Sequence, residues 1–351
     1  MKINHKTTTL FFFFTLFILM SCKENTDSNT NILSSDNTEV VEKTKAQKLA
    51  NVIFNKKSII SSAKAPKIIK AEQLYNSLDQ NILIIDIRSA KDFASGHIKN
   101  AINIKLSEVQ DFAKASGLPM YDKVVMACYT GQTASYASAI LQMLGHTNIY
   151  VLDWGMCGWN PKFSKKWKKN TSDKGIAELV KTPYTKNKIS ELPIIKNKKN
   201  TGFEIRDIRA RKILKEGFGN IAVNYSYTKA NAKKAYVICY QPEAIYNNGH
   251  IDQAILYDQN NSFNLSTDLL TLPPNKTIII YSNKAYQSTY IAIYLKMLGY
   301  NARTLKFGAN SFMNSKLKDS GDAFEKEVIQ NYPFETSIYI KVEGEVQEGG
   351  C

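Results

Sequence analysis

The sequence predicts an α/β protein built from two tandem domains, each a mainly parallel sheet with helices on both faces. Three observations carry that prediction. Gly96-His97-Ile98 and Ala101-Ile102 recur as Gly249-His250-Ile251 and Ala254-Ile255. Tyr136, Leu141, Met143, Leu144 and Gly145 return as Tyr290, Leu295, Met297, Leu298 and Gly299, and Trp154-Gly155 returns as Phe307-Gly308. Matched blocks in one order, at nearly one offset, mark a duplicated domain.

Within the first copy, Ile82 to Ile87 is a short apolar run rich in β-branched residues, suited to a strand buried on both faces. Val124 to Ala127 and Ile149 to Leu152 are two more such runs. Between them, Tyr136, Ala137, Ile140, Leu141 and Leu144 share one face of a helix over 134–144, which Gly145 is placed to stop. Strand, tight loop, helix and strand make a βαβ unit, and hence a parallel sheet. In the second copy, Ile278 to Tyr281, Thr289 to Leu298 and Ala302 to Leu305 repeat the pattern, and 204–216 reads as a helix leading into it.

The amino terminus sets an expected compartment. Lys2 and Lys6 precede an apolar run over Leu10 to Met20, too short for a comfortable bilayer span and suited to the core of a secretory signal. Leu19-Met20-Ser21-Cys22 resembles the lipobox of bacterial lipoproteins, which implies cleavage before Cys22 and a lipid anchor on its thiol. The alternatives are an ordinary signal peptide or an uncleaved anchor helix. The expected organisation is therefore a signal over 1–21 and a flexible tether over 22–65, where polar composition disfavours a packed core. A first domain follows over 66–170, a lysine-rich linker over 171–202, a second domain over 203–315 and a tail over 316–351. The expected location is the cell envelope, lipid-anchored and facing the periplasm or the cell surface.

A net charge of +15 would ordinarily raise nucleic acid as a partner. The lysines, however, are scattered through presumed linkers, and an exported protein seldom meets nucleic acid, so no nucleic acid is expected. Of five cysteines (Cys22, Cys128, Cys157, Cys239 and Cys351), none has a close or repeated spacing, and the four histidines do not cluster with them. Neither a disulfide framework nor a metal site is expected.

Cys128 is the candidate nucleophile. It follows a buried strand directly and stands six residues before Ala134, so Tyr129, Thr130, Gly131, Gln132 and Thr133 must wrap tightly around the sulfur. Such a loop aims backbone N–H groups inward, and the helix start adds its positive dipole end, both favouring an anion at the centre. A thiolate, a persulfide or a bound oxyanion would each be stabilised there. Position alone leaves a buried structural cysteine open; the loop glycine and the helix start favour the nucleophile.

At these residues the chain resembles the rhodanese sulfurtransferase family. Asp86-Ile87-Arg88, Asp92-Phe93, Gly96-His97-Ile98 and Ala101-Ile102-Asn103 are similar to the family's first signature, 128–133 to its active-site loop, and Trp154-Gly155 with Trp159 to its closing motif. The resemblance implies transfer of a sulfane sulfur through a Cys128 persulfide, from a small donor (thiosulfate, persulfide or polysulfide) to a thiol or cyanide-like acceptor, with no metal or organic cofactor. The loop length is that of the sulfur-handling members; related phosphatases and arsenate reductases have one residue more. Members that prefer thiosulfate often carry arginine directly after the cysteine and at the end of the loop, where this chain has Tyr129 and Thr133. Fewer charged donors imply weaker thiosulfate binding. Asp86, Arg88 and Asp92 read as an internal set of ion pairs and hydrogen bonds supporting the loop, His97 as a packing residue, Trp154 and Trp159 as core, and Cys157 as filler or a resolving thiol.

In the second copy Ser282 replaces Cys128 and Asn283-Lys284-Ala285-Tyr286-Gln287 replaces its loop, so that copy is expected to be inactive and to cover the active face of the first. Two rival functions stay open: a non-catalytic binding or scaffold module, and a thiol-redox protein pairing Cys128 with Cys157 or Cys351.

Overall fold

A computed structural model describes residues 43–54, 64–260 and 262–339. The signal over 1–21, Cys22 and Cys351 lie outside the described residues.

The first described element is a helix, α1 (Lys45–Phe54), inside the span expected to be a tether. Ala46, Leu49, Ala50 and Ile53 are buried, a spacing that places all four on one helical face. That face packs on a later helix, so ten residues of polar neighbourhood still carry enough apolar stripe to dock. Over 45–54 the tether expectation is corrected: composition averaged over the whole span concealed a short amphipathic segment.

The first copy then runs β1 (Ile68–Ile69), α2 (Ala71–Tyr75), β2 (Ile82–Asp86), α3 (Ala90–Ser95), β3 (Ile102–Asn103), α4 (Val109–Ala115), β4 (Lys123–Ala127), α5 (Gln132–Leu144), β5 (Ile149–Leu152), α6 (Met156–Trp159) and α7 (Lys165–Asn170). Its five strands form one sheet in the order β1-β5-β4-β2-β3, and every pairing is parallel. The central strands are continuous apolar runs because both faces are covered by helices. The register pairs Asp86 with Ala127. The residue that ends β2 therefore lies beside the strand end that delivers Cys128.

The second copy repeats this after α8 (Gly202–Glu216): β6 (Ala222–Val223), α9 (Tyr225–Asn231), β7 (Tyr236–Cys239), α10 (Glu243–Asn248), β8 (Ala254–Leu256), β9 (Thr277–Tyr281), α11 (Tyr286–Met297), β10 (Asn301–Leu305) and α12 (Asn310–Met313). The sheet order is β6-β10-β9-β7-β8, again all parallel. The duplication extends to unusual backbone: Asn100 and Gln253, and Trp154 and Phe307, take matching positive φ near 60–66°.

The connections differ from the linker and solvated tail that the sequence predicts. Each copy's carboxyl-terminal extension crosses to the other copy. After the first copy, Ser172 N donates to Asn310 O at 2.9 Å, and Val180 and His250 exchange backbone hydrogen bonds at 3.0 and 2.9 Å. After the second, Gln330 N donates to Gly158 O at 2.8 Å, and Glu335 and His97 exchange bonds at 2.8 and 2.9 Å. The bridged residues, His250 and His97, are repeat equivalents. The straps bind through main-chain bridges and through side chains such as Tyr332, which stacks on Tyr75, and Tyr184, whose hydroxyl donates to Asp252 at 2.5 Å. Helices α5 and α11 pack together between the sheets, and apolar side chains of both copies and of α1 and α8 form one continuous core.

Candidate functional site

The site is built by the β4-to-α5 turn. β4 ends at Ala127, Cys128 follows, and Gly131 caps α5 with φ 87°, so the helix starts at Gln132, two residues earlier than its periodicity predicts. Cys128 Sγ accepts from Gly131 N at 3.1 Å and from Ala134 N at 3.4 Å. These are the inward-pointing N–H groups that favour an anionic sulfur, with the start of a thirteen-residue helix behind them. Against that, Cys128 is only 1% exposed, and burial by itself favours the neutral thiol.

The outer side of the loop rests on the Trp154-Gly155 turn. Met156 N donates to Cys128 O at 2.9 Å and Cys157 N to Tyr129 O at 3.0 Å. A Cβ on Gly155 would stand 2.6 Å from Cys128 O and 2.7 Å from the amide nitrogens of Thr130 and Gly131. Only glycine lets that turn approach the loop so closely.

The expected support residues divide into two groups. Asp86 and Arg88 form a buried pair: Arg88 Nε reaches both Asp86 oxygens at 3.0 and 2.9 Å, and Nη2 reaches Asp86 Oδ2 at 2.6 Å and Gly96 O at 2.7 Å. Burial disfavours the guanidinium charge, but Asp86 more than offsets it and holds the Arg88 pKa above its ordinary value. Ile87 N donates to Ala127 O at 2.9 Å, which ties this pair's strand end to the cysteine's. Asp92 belongs to the loop's rim. It accepts from Tyr129 Oη and, at 2.5 Å, from Ser89 Oγ. Partial burial pushes its carboxyl up; the Ser89 and Tyr129 hydrogen bonds, with the nearby charges of Arg88 and Lys166, hold it below the usual range. Tyr129 is half-buried, with Lys166 Nζ 3.5 Å from its ring centroid and the Arg88 guanidinium carbon 5.7 Å away. Burial, then the Asp92 hydrogen bond, push its phenol well above the ordinary tyrosine range.

Thr130, Gly131, Gln132 and Thr133 are buried, because the second copy lies against them. Gln132 Nε2 donates to Thr130 Oγ1 at 3.0 Å, and Gln132 Oε1 accepts from Phe307 N at 2.8 Å. Its repeat equivalent, Tyr286, answers from the other side: Tyr286 Oη donates to Thr130 O at 3.0 Å and accepts from Trp154 N at 2.7 Å. Ser135 Oγ donates to Tyr286 O at 2.8 Å. Lys284 adds an ion-pair set, 3.1 and 3.2 Å from the Asp153 carboxylate oxygens and 3.2 Å from Asp322, with Nζ 4.7 Å from the Trp154 ring centroid. Burial works against the ammonium, but the two carboxylates raise its pKa. Beneath the loop, Trp154, Trp167, Phe307 and Phe324 pack as one aromatic cluster, and Trp167 Nε1 donates to Thr130 O at 3.1 Å.

Tyr286, Lys284, Trp167, Lys166 and Phe324 are therefore site residues that sequence reasoning missed. The expectation that the second copy covers the active face pointed to that copy, and the alignment places Tyr286 opposite Gln132, but nothing in the sequence singled out which of its side chains would make the contact.

The second copy keeps a reduced version of the cradle. Ser282 Oγ accepts from Ser288 N at 3.1 Å, the counterpart of the Ala134 bond, and among the described residues no basic side chain is bonded to that hydroxyl. Cys239 stands where the first copy has Asp86, and burial pushes its thiol up to about 12. Cys157 Sγ donates to Phe163 O at 3.0 Å. Both it and Cys128 are thiols. Among the described residues no three His, Cys, Asp or Glu side chains gather in a way that could hold a metal ion.

Comparison with known proteins adds the family. The model described as rhodanese-like domain matches residues 70–162 and 227–315. Thiosulfate sulfurtransferase GlpE of Pseudomonas fluorescens (strain SBW25) is 32% identical over 85 residues, covering 24% of this chain and 76% of that protein. GlpE of Pseudomonas aeruginosa is 32% identical over 91 residues, covering 26% and 81%. Among solved structures, a rhodanese-related protein from Thermoplasma volcanium is 28% identical, covers 26% of this chain and 88% of its own, and superposes with a TM-score of 0.24. SseA from Escherichia coli is 14% identical over 68% of this chain and 97% of its own, with a TM-score of 0.25. With both copies matched over more than half of its length, the chain belongs to the rhodanese-like domain family, as a tandem pair.

Proposed function

We propose that the protein is a sulfurtransferase in which Cys128 carries a sulfane sulfur. The observation that carries this reading is the pair of backbone N–H groups aimed at Cys128 Sγ, 3.1 and 3.4 Å away, at the start of α5. The thiolate attacks the sulfane sulfur of the donor, forming a Cys128 persulfide and expelling the donor's remainder, sulfite when thiosulfate is used. A thiolate acceptor or cyanide then attacks the outer sulfur, leaves as a persulfide or thiocyanate, and returns Cys128 as thiolate. The sulfur–sulfur bond carries the electrons throughout, so no metal or organic cofactor is required.

The donor class follows from charge. No arginine or lysine stands within the loop itself. Arg88 is neutralised by Asp86, and Lys166 over Tyr129 is set against Asp92. The rim is close to neutral, which disfavours a doubly charged donor such as thiosulfate or inorganic polysulfide and favours an organic persulfide or organic polysulfide. The relatives named thiosulfate sulfurtransferase supply the competing expectation for the donor. One observation favours a second reading, a binding or scaffold module: Cys128 is 1% exposed beneath Tyr286.

The proposal includes the compartment. A lipid on Cys22 would hold the enzyme at a membrane, in the cell envelope, with the tether and α1 leading to the first domain. The test is intact-mass spectrometry of the full chain and of its Cys128→Ser variant, after incubation with thiosulfate or with an organic persulfide. The expected result is a gain of one cyanide-labile sulfur in the wild type alone, at lower donor concentration with the persulfide. No gain with either donor, from folded and reduced protein, would transfer the assignment to the binding module.

A further inference from the structure

We infer that Tyr286, contributed by the second copy, is a positioning residue that orients the Thr130–Gly131 peptide so that its N–H points at the Cys128 sulfur. The inference rests on Cys128 being the nucleophile proposed above. A trans peptide is planar, with its C=O and N–H on opposite sides. The only cis bond among the described residues is Ala65–Pro66, so the Thr130–Gly131 peptide is trans. Its two ends are engaged in opposite directions. On one side Gly131 N donates to Sγ at 3.1 Å. On the other, Thr130 O accepts from Tyr286 Oη at 3.0 Å and from Trp167 Nε1 at 3.1 Å.

The peptide needs this anchoring because of the residue that follows it. Gly131 sits at φ 87°, and glycine tolerates rotation of the preceding peptide plane far better than other residues. A rotated plane would turn the Gly131 N–H away from the sulfur and present the Thr130 carbonyl in its place, exchanging a donor for an acceptor at an anionic centre. Tyr286 is well placed to prevent that. It is fully buried, its hydroxyl is held by Trp154 N at 2.7 Å, and a Cβ on Gly131 would fall within 2.5–2.7 Å of its phenol. Burial pushes the phenol far above the ordinary tyrosine range, so it remains a donor at any working pH. The fold thereby gives the inactive copy a catalytic consequence: it sets the ionisation of a cysteine that lies 158 positions earlier in the chain.

The experiment is the pH dependence of Cys128 alkylation, read at that residue by peptide mass spectrometry, in the full-length wild type and in Tyr286→Phe. Phenylalanine fills the same space and removes only the hydroxyl. The expected result is a midpoint about one pH unit higher in the variant and about tenfold slower alkylation below both midpoints, the scale of losing one hydrogen bond to a charged group. A change of Tm alone, with the midpoint unmoved in a folded variant, overturns the inference. Trp167→Phe removes the other donor to the same oxygen from within the first copy. It should move the midpoint in the same direction, and a folded variant without that movement also overturns the inference. Failure of the underlying reading looks different: the wild type itself would titrate as an ordinary thiol and take up no cyanide-labile sulfur.

Discussion

The Cys128 loop and the Ser282 loop are the same turn used in two ways. Both follow the central strand of a parallel sheet, both enter the helix that packs at the centre of the molecule, and both rest on an aromatic-glycine turn at positive φ. In the first, the turn residue is Gly131, the sulfur receives two backbone N–H groups, and the rim carries Tyr129, Asp92 and Lys166. In the second, Ala285 occupies the same left-handed conformation at φ 64°, and the side chains at Lys284 and Tyr286 reach out to grip the first copy. One loop kept the geometry for holding an anion; the other spends its side chains on docking. The lesson is that the copy without a cysteine in its loop supplies a structural element whose contacts fall on the Cys128 loop.

Four experiments break or sharpen this comparison. The largest effect is expected for Cys128→Ser, which should abolish sulfur uptake completely, whereas Ser282→Cys in that background should restore none, as read by intact mass. Uptake at a cysteine placed at 282 would show the loops to be interchangeable after all. Next comes Gly131→Ala. A side chain at φ 87° costs about 1–2 kcal/mol, and the clash with Tyr286 adds about 1–3 kcal/mol, so urea denaturation should show a loss of about 2–5 kcal/mol. By contrast Ala285→Gly should be neutral or stabilising.

Lys284→Met is expected to cost about 2–3 kcal/mol, because it leaves the Asp153 carboxylate, 9% exposed, without its ammonium, while Asp322 at 28% exposure recovers some hydration. Equal stability of the variant and the wild type in denaturant melts would remove Lys284 from the docking argument. The smallest effect concerns Asp92. Its folded pKa lies below the ordinary carboxylate value, so its contribution to stability is present at neutral pH and is lost as pH falls through the carboxylate range towards the folded value. Asp92→Asn should therefore flatten the acid limb of a Tm-against-pH curve and leave its alkaline limb alone. An unchanged acid limb would count against the Tyr129–Asp92 rim as a charged contact.

The straps make the same point away from the site. Val180 with His250 and Glu335 with His97 are equivalent bridges made by segments that composition marks as linker and tail. The repeat is therefore longer than its sequence similarity, and the bridges that complete it are main-chain bonds that leave little trace in side-chain identity. Helix α1 escaped notice for a related reason, since Ala46, Leu49, Ala50 and Ile53 become a pattern only when read apart from their polar surroundings.

What the sequence determined by itself was everything encoded within a few tens of residues. The alternation of buried strands with α5 and α11, the parallel sheets they force, the duplication, and the turn that wraps Cys128 were all legible, because periodicity, β-branching and loop length act locally. Asp86, Arg88 and Asp92 were identified as a group, although only the structure separated the buried Asp86–Arg88 pair from the rim carboxylate on Tyr129. The sequence set the second copy over the active face, but only the tertiary structure decided which side chains meet the cysteine loop. Tyr286 and Lys284 reach it through the docking of the second copy on the first, Phe324 through the return of the tail, and Trp167 from α7 at the end of the first copy itself. Such contacts depend on how two finished surfaces fit, and no local pattern in either surface specifies its partner.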